Sequence, residues 1–116
     1  MSSYRFRFVA ALFVGAASLL LAGCPPHVSI AKLNQDPRRY MGKEVTIAGR
    51  VTDSFGAVGR GAFQIDDGTG TMWVFAGRRG IPGGGAKVAA TGYIEQGFSI
   101  GGHNFATILR ETERRQ

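Results

Sequence analysis

Two segments of the chain share a pattern that few folds accommodate. VTIAGRV (45–51) and VAATGYI (88–94) each place small or aliphatic residues at every second position, and each has a glycine at its fifth position. Alternation with a period of two is typical of half-buried β-strands. A glycine on the inward face lets a strand coil sharply, which a small closed barrel requires. We therefore expect these segments to be two curved strands of one closed sheet.

The segment between them, AFQIDDGTGTMWVFA (62–76), has the pattern of a β-hairpin. Asp and Gly tolerate positive φ, so DGTG (67–70) predicts the turn. Alternation on either side of the turn places Gln64, Trp73 and Phe75 on the face opposite the core. The predicted core of the whole sheet is Val45, Ile47, Val51, Phe63, Ile65, Met72, Val74, Val88 and Ile94.

The start of the chain has the features of an export signal. Arg5 and Arg7 precede an apolar run of 15 residues (8–22), and small residues stand before Cys24. A basic start, an apolar core and a small-residue ending predict a secretory signal peptide over 1–23. The run is short for a bilayer core of ~30 Å. The alternative, a buried helix, leaves the one-sided charge unexplained.

The four residues LAGC (21–24) resemble the lipobox of bacterial lipoproteins. In that family the peptide is cut before the cysteine, whose sulfur receives a diacylglyceryl group, and the new amine is usually acylated, for example with palmitate. The resemblance implies that Cys24 is lipidated and that the exported chain is anchored in a membrane of the cell envelope. It places the domain on the periplasmic side. Pro25, rather than Asp, after the cysteine favours the outer membrane by resemblance to enterobacterial sorting rules.

After Cys24 the chain is long enough for one small domain. Residues 24–28 form a tether that Pro25 and Pro26 stiffen. Ser29 can cap a short helix that ends before Pro37. We expect the domain over 29–111, with a last strand at about 104–109 and a charged tail at 112–116.

Composition limits both the fold and the partners. Of 18 glycines, 16 follow Cys24, a content that helices avoid and that curved sheets use. The single cysteine allows no internal disulfide. Two of the 14 basic residues precede Cys24 and all 8 acidic residues follow it, so residues 24–116 carry a formal charge of +4. A mildly basic domain favours anionic partners or an anionic membrane surface.

Three stretches carry a resemblance to a known fold: DPRRYMGKEVTIAGRV (36–51), FQIDDGTGTMWVF (63–75) and GGGAKVAATGYI (83–94). Together they resemble the OB-fold of the anticodon-binding and single-strand-binding type, especially its small versions in bacterial lipoproteins, over roughly 30–111. The resemblance implies an all-β, five-stranded Greek-key barrel with a short N-terminal helix. Many OB-folds have a helix between strands three and four, but GRRGIPGGG (77–85) can hardly form one. The N-terminal helix then covers the end of the barrel.

No constellation of catalytic or metal-binding residues is visible in the sequence. His27 and His103 are isolated, without a third ligand spaced nearby. Asp66 and Asp67 are adjacent and point to opposite faces of a strand, so a role in a turn suits them better than paired acid–base work. The glycine-rich loop lacks the Walker spacing. We expect no enzyme activity, no metal and no cofactor.

One surface has the residues of a binding face. In OB-folds the ligand lies on strands two and three and on the loops after strands one and four. The loops here are DSFGAVGRG (53–61) and QGFSIGGH (96–103). The candidate ligand-binding residues are Phe55, Arg60, Gln64, Trp73, Phe75 and Phe98. In the alternative interpretation Trp73 and Phe75 pack under a loop or the N-terminal segment.

We expect a non-catalytic binding module, and two classes of partner remain open. An exported, lipid-anchored domain meets other envelope proteins, which makes a protein partner the first expectation. Aromatic side chains beside Arg and Lys also suit stacking on bases, so single-stranded nucleic acid or another anionic polymer is the alternative. The fold alone does not decide between them, and the sequence leaves the oligomeric state open.

Overall fold

Five strands and one short α-helix make up the part of the chain that the structure describes. The structure is a computed structural model and describes residues 24–57, 60–100 and 102–116. The predicted signal peptide, 1–23, lies outside the described residues. In chain order the elements are α1 (Ile30–Gln35), a 3₁₀ turn (Pro37–Tyr40), β1 (Glu44–Ala57), β2 (Arg60–Asp66), β3 (Thr71–Gly77), β4 (Lys87–Ile100) and β5 (His103–Arg115).

The strands form one closed sheet in the order β1-β2-β3-β5-β4. Antiparallel pairing joins β1 to β2, β2 to β3, β4 to β5 and β1 to β4. The ring is completed by a short parallel contact in which Trp73, Val74 and Phe75 of β3 lie opposite Ile108, Leu109 and Arg110 of β5. The predicted mostly-β, five-stranded closed architecture with a short helix is confirmed.

The two glycines that shaped the sequence prediction lie where neighbouring backbones approach most closely. A Cβ atom on Gly49 would overlap the carbonyl group of Asp66, and one on Gly92 would overlap that of Arg110. Neither glycine has a positive φ, so the requirement is for space and not for an unusual backbone conformation. The missing side chains let the strands coil tightly enough to close the sheet.

The interior holds the core that the alternation predicts. All nine predicted core residues are at most 4% exposed and belong to one hydrophobic cluster. Ile30 and Leu33 of α1, Ala76 of β3, Ala90 of β4 and Leu109 of β5 complete it. The prediction of the core is therefore confirmed, and α1 contributes directly to it.

The helix α1 begins and ends where the sequence predicts. The Ser29 hydroxyl accepts a hydrogen bond from the Lys32 amide at 3.3 Å and caps the first turn. The helix ends before Pro37, whose ring is incompatible with its continuation. No helix occurs between β3 and β4, where every residue from 78 to 86 is described, so α1 is the helix that packs on the core.

The turn between β2 and β3 holds α1 in place. One carboxylate oxygen of Asp67 accepts the Ile30 amide at 2.9 Å, while the other accepts the Thr69 amide and hydroxyl at 2.8 and 2.6 Å. The Thr69 hydroxyl also accepts the Ala31 amide at 3.1 Å. Gly68 has a φ of 87°, as the predicted turn requires. The DGTG turn thus connects a local hairpin to the N-terminal helix.

The two stretches predicted as binding loops are largely strand. β1 extends to Ala57, and Phe55 lies opposite Ala62 of β2. β4 extends to Ile100, and Phe98 lies opposite Phe105 of β5. Backbone pairing continues beyond the closed sheet in both hairpins, so the aromatic residues of these stretches are held by ladder hydrogen bonds.

The prediction of a last strand at about 104–109 followed by a charged tail at 112–116 needs correction. β5 does not end near Leu109 but continues to Arg115, with Glu113 opposite Thr91 and Arg115 opposite Ala89. The Glu111 side chain is fully buried and forms an ion pair with Arg114, at 2.8 Å between Oε1 and the guanidinium. Arg114 neutralises the one buried charge of RETERR, Glu111, while Arg110, Glu113 and Arg115 are exposed, and this is why a charged segment can form a strand of the closed sheet.

The predicted tether packs against the sheet. The Val28 amide donates to the Thr46 carbonyl at 3.0 Å, and the Thr46 amide donates to the Pro26 carbonyl at 2.9 Å. His27 therefore lies in a short parallel bridge beside β1. No helix among the described residues is both long and apolar enough to cross a bilayer.

Candidate ligand-binding groove

A second hydrophobic cluster lies on the outer face of the sheet. It surrounds the buried side chains of Ala62, Ile100 and Ile108. Five half-buried aromatic residues pack on these three: Phe55, Trp73, Phe75, Phe98 and Phe105. We call these eight residues the outer cluster. β1, β2 and β3 supply one side of it, and the β4–β5 hairpin supplies the other.

The rings of the outer cluster contact one another in two groups. Trp73 lies 5.5 Å from both Phe55 and Phe105, measured between ring centroids, and the planes of Phe55 and Phe105 are 7° apart at 5.9 Å. Phe75 and Phe98 form a separate tilted pair at 5.0 Å. Each such pair stabilises the fold by about 0.5–1.5 kcal/mol beyond its buried area.

The outer cluster changes the predicted picture of the binding face. Trp73 and Phe75 are on the side opposite Met72 and Val74, as the alternation predicts, but they are half-buried and not an open platform. The β4–β5 hairpin packs against them through Phe98 and Phe105. The alternative drawn from the sequence was packing under a loop or the N-terminal segment, whereas the covering element here is a strand hairpin.

A groove remains open between the hairpin and the end of β1. Its volume is ≈ 540 Å³, and its aromatic walls are Phe55, Trp73, His103 and Phe105. The rest of its lining is Asp53, Ser54, Asn104, Ala106 and Thr107. The His103 ring lies 4.5 Å from the Phe55 ring, centroid to centroid. We call this feature the aromatic groove.

The aromatic groove combines flat apolar walls with a polar rim. Asp53 is the one charged residue in its lining, and its carboxylate accepts the Ser54 amide at 2.8 Å. Asn104 shares a hydrogen bond of 2.6 Å with the Ser99 hydroxyl. The groove therefore offers ring faces, hydrogen-bonding groups and a single negative charge, a composition that suits an uncharged or weakly basic ligand segment.

The six predicted site residues fall into four places. Phe55 and Trp73 line the aromatic groove, whereas Phe75 and Phe98 support it from within the outer cluster. Gln64 lies opposite Trp73, and its side-chain oxygen accepts the Thr52 hydroxyl at 3.2 Å. Arg60 lies elsewhere, in a separate cavity with Arg78 and Ile81. Its position in a predicted loop gave no information about the direction of its side chain.

His103 and Phe105 were not among the predicted site residues. The sequence nevertheless contains a pattern that could have identified them. FSI (98–100) and HNF (103–105) flank the pair Gly101-Gly102. Two alternating runs joined by two glycines predict a tight hairpin, which brings Phe98 and Phe105 opposite each other.

Other sites in the described part of the chain fit a ligand less well. A larger depression of ≈ 770 Å³ over β1 and β4 is open and mixes Arg50, Lys87 and Arg115 with Asp66 and Asp67, without an aromatic side chain. Within residues 24–57, 60–100 and 102–116, no three His, Cys, Asp or Glu side chains gather as a metal site would need. The absence of a metal stays a prediction.

Asp67 is the one described residue whose acidity departs clearly from normal, and its role is in the turn. Partial burial raises the pKa of Asp67, but the hydrogen bonds from the Ile30, Thr69 and Gly70 amides and the Thr69 hydroxyl outweigh that effect. The net pKa lies below the usual value. A stabilised carboxylate that accepts amide hydrogen bonds is suited to holding a turn, not to taking up protons in catalysis.

Comparisons with known proteins concern the fold. No family model matches the chain, and no curated protein matches it either. Among solved structures, it is similar to asparaginyl-tRNA synthetase from Pyrococcus horikoshii complexed with asparaginyl-adenylate, with 16% identity and a TM-score of 0.54 over 66% of this chain and 19% of that chain. It is also similar to the OBody AM3L09 bound to hen egg-white lysozyme, with 16% identity and a TM-score of 0.50 over 66% of this chain and 82% of that one. These similarities indicate a small OB-fold-like β domain.

Proposed function

We propose that this protein is a non-catalytic binding module that holds a segment of another protein in the aromatic groove. The observation that carries the proposal is the groove itself: ring faces of Phe55, Trp73 and Phe105 with a hydrogen-bonding rim. Aromatic residues that keep one accessible face are enriched where proteins bind partners. The OBody that resembles this chain is bound to a protein, lysozyme, and this supports a protein ligand for the same type of fold.

The charge of the groove favours a protein over a nucleic acid. Affinity for nucleic acids comes largely from Lys and Arg contacts to phosphates, and neither Lys nor Arg is among the described residues that line this groove. Asp53 at its rim repels phosphate. Similarity to a tRNA synthetase and the formal charge of +4 over residues 24–116 keep single-stranded nucleic acid as the second candidate. Its test is included below.

We extend the proposal to the position of the module at a membrane. Cys24 is exposed, and the chain is already bound to β1 at Pro26, two residues later. A lipid on Cys24 holds the domain close to the bilayer of the cell envelope. The cavity beside Cys24 is lined by Thr91 and Glu113, near the base of the β4–β5 hairpin. The aromatic groove lies at the other end of that hairpin, up to about 30 Å along the strands at ~3.3 Å per residue.

Crosslinking from the groove tests the protein partner. A photo-crosslinking amino acid at Ser54, on the rim, is compared with one at Gln35, which is exposed on α1. Irradiation of intact membranes is expected to give a defined protein adduct from position 54 and not from position 35. Ala106→Arg should remove the adduct, because Ala106 is exposed in the groove lining and a long side chain there fills the groove.

The control for Ala106→Arg is Gln35→Arg, which adds the same charge outside the groove. An adduct that survives Ala106→Arg, or that is lost equally with Gln35→Arg, contradicts the proposal. Crosslinking to an oligothymidylate from position 54, sensitive to Ala106→Arg, would support the second candidate instead.

A further inference from the structure

A cavity at the open end of the β2–β3 hairpin, away from its turn, is lined by two arginines. Its volume is ≈ 410 Å³, and its lining consists of Arg60, Gly61, Gly77, Arg78, Gly80 and Ile81. β2 and β3 bring the two arginines together, because Gly61, next to Arg60, lies opposite Gly77, next to Arg78. We call this feature the arginine pocket. It is separate from the aromatic groove, which shares none of its lining residues.

Neither arginine of the pocket has a carboxylate partner in the described ranges. Other arginines of the domain do: Arg110 lies 2.6 Å from Glu95, and Arg114 lies 2.8 Å from Glu111. Arg60 and Arg78 are exposed and take part in no ion pair between described residues. Two exposed arginines that line one cavity and form no ion pair with a described acidic residue favour an anionic ligand.

The pocket also presents an apolar surface. Ile81 is 37% exposed, although its side chain rests against Gly61 so closely that a Cβ atom on Gly61 would lie 2.7 Å from it. Gly77 and Gly80, with φ of 58° and 87°, let the backbone turn away and leave the arginines accessible. An exposed aliphatic residue beside two cations suits a ligand that alternates acidic and apolar groups.

We propose that the arginine pocket binds an acidic stretch of the partner protein, with carboxylates on Arg60 and Arg78 and an aliphatic side chain on Ile81. This proposal rests on the proposed protein-binding function and names the chemistry of the partner. Guanidinium groups bind carboxylates through paired hydrogen bonds. The exposed Ile81 provides an apolar contact, which an aliphatic side chain of a protein can use and a phosphate backbone cannot. An extended partner segment then contacts two sites: the aromatic groove takes an uncharged portion, and the arginine pocket takes an acidic one.

Labelled peptides test the pocket without knowledge of the partner. The probe is a fluorescent peptide of alternating glutamate and leucine, its control is the matched peptide of glutamine and leucine, and a third probe is oligothymidylate. The acidic peptide is expected to bind more tightly than the glutamine peptide. The double variant Arg60→Ala/Arg78→Ala should weaken it about tenfold, the size expected when two exposed ion pairs are lost.

The matched control is Arg38→Ala/Arg39→Ala, which removes the same charge from the exposed 3₁₀ turn. It should change acidic-peptide affinity by less than about twofold, because Arg38 and Arg39 are exposed residues outside the lining of the arginine pocket. Equal binding of both peptides overturns the proposal, as does an equal loss in both double variants. Tighter, Arg60- and Arg78-dependent binding of oligothymidylate overturns it in favour of a phosphate ligand.

The two proposals fail in different ways. Loss of the position-54 adduct with Ala106→Arg supports the aromatic groove, whatever the peptides show. If that adduct depends on Ala106 while the acidic peptide ignores Arg60 and Arg78, the groove stands and the arginine pocket is wrong.

Discussion

At the scale of single residues, Asp67 links parts of the chain that are far apart in sequence. Its carboxylate accepts the Ile30 amide, 37 residues away, together with the amides of its own turn. The sequence identifies Asp67 as a turn residue because Asp-Gly pairs favour tight hairpins. It does not show the contact to α1, because that contact depends on where the helix packs.

Asp67→Ala is expected to lower the free energy of unfolding at pH 7 by about 1–2 kcal/mol, since it removes hydrogen bonds to a charged acceptor. The pKa of Asp67 is depressed in the folded state. Its stabilising effect is therefore complete above the unfolded pKa of ~3.9 and is lost as the pH falls through the lower folded pKa. Urea melts of both proteins from pH 7 to pH 2 should show the difference shrinking below about pH 4.

The matched control for this measurement is Asp66→Ala. The Asp66 carboxylate accepts one hydrogen bond, from the Gly68 amide at 2.8 Å. It accepts none from α1, whose Ile30 amide donates to Asp67. We expect a smaller loss of stability. A difference between wild type and Asp67→Ala that stays constant across the pH range would show that the charge of Asp67 is unimportant.

At the scale of elements, β5 shows why the limits of a strand are hard to predict from sequence. RETERR is polar throughout, and nothing in its composition indicates that Glu111 is buried. In the fold, Arg114 lies three residues further along the strand, donates to Glu111, and places its guanidinium 4.9 Å from the centre of the Phe63 ring. Alternation predicts apolar strands well, but it fails where a buried charge is neutralised by a neighbour.

Arg114→Ala is expected to destabilise the domain by about 3–5 kcal/mol, because it leaves the buried Glu111 carboxylate with only the longer contact to Arg79, at 4.0 Å. Adding Glu111→Gln to the Arg114→Ala variant should restore part of the lost free energy of unfolding, since a neutral amide is less costly to bury than an unpaired carboxylate. Chemical denaturation of the single and double variants measures both effects.

Arg110→Ala is the control for an ion pair on the surface of the same strand. The side chains of Arg110 and Glu95 are 48% and 34% exposed, so the loss should stay below about 1 kcal/mol. Equal losses for Arg110→Ala and Arg114→Ala would mean that burial of Glu111 does not govern the stability of β5.

At the scale of the whole molecule, two hydrophobic clusters share one sheet. The inner one follows largely from period-two alternation, which predicted nine of its strand residues but not Ala76, Ala90 or Leu109. The outer cluster was predictable in part: alternation placed Trp73 and Phe75 on the outer face. That the β4–β5 hairpin covers them, and that Arg60 joins Arg78, depends on how the hairpins curve in three dimensions.

At the same scale, we propose that lipidation of Cys24 holds the whole molecule at a membrane. We expect the native protein to begin at Cys24 and to carry acyl chains there, which would stably anchor the domain. Mass spectrometry of the N-terminal peptide from membranes checks this, with Cys24→Ser as the control that should abolish both cleavage and membrane association. An unmodified cysteine within an uncut chain would contradict the anchor.

The position of β5 between β3 and β4 sets the order in which this domain can form during biosynthesis. Ribosomes deliver the N-terminal end first, yet the ring stays open until residues 103–115 are present to join both neighbours. The parallel contact between β3 and β5 joins residues about 35 positions apart, and such distant pairings form late. A nascent chain that lacks β5 has no closed sheet. We expect such a chain to stay extended enough for the export that we propose for this protein.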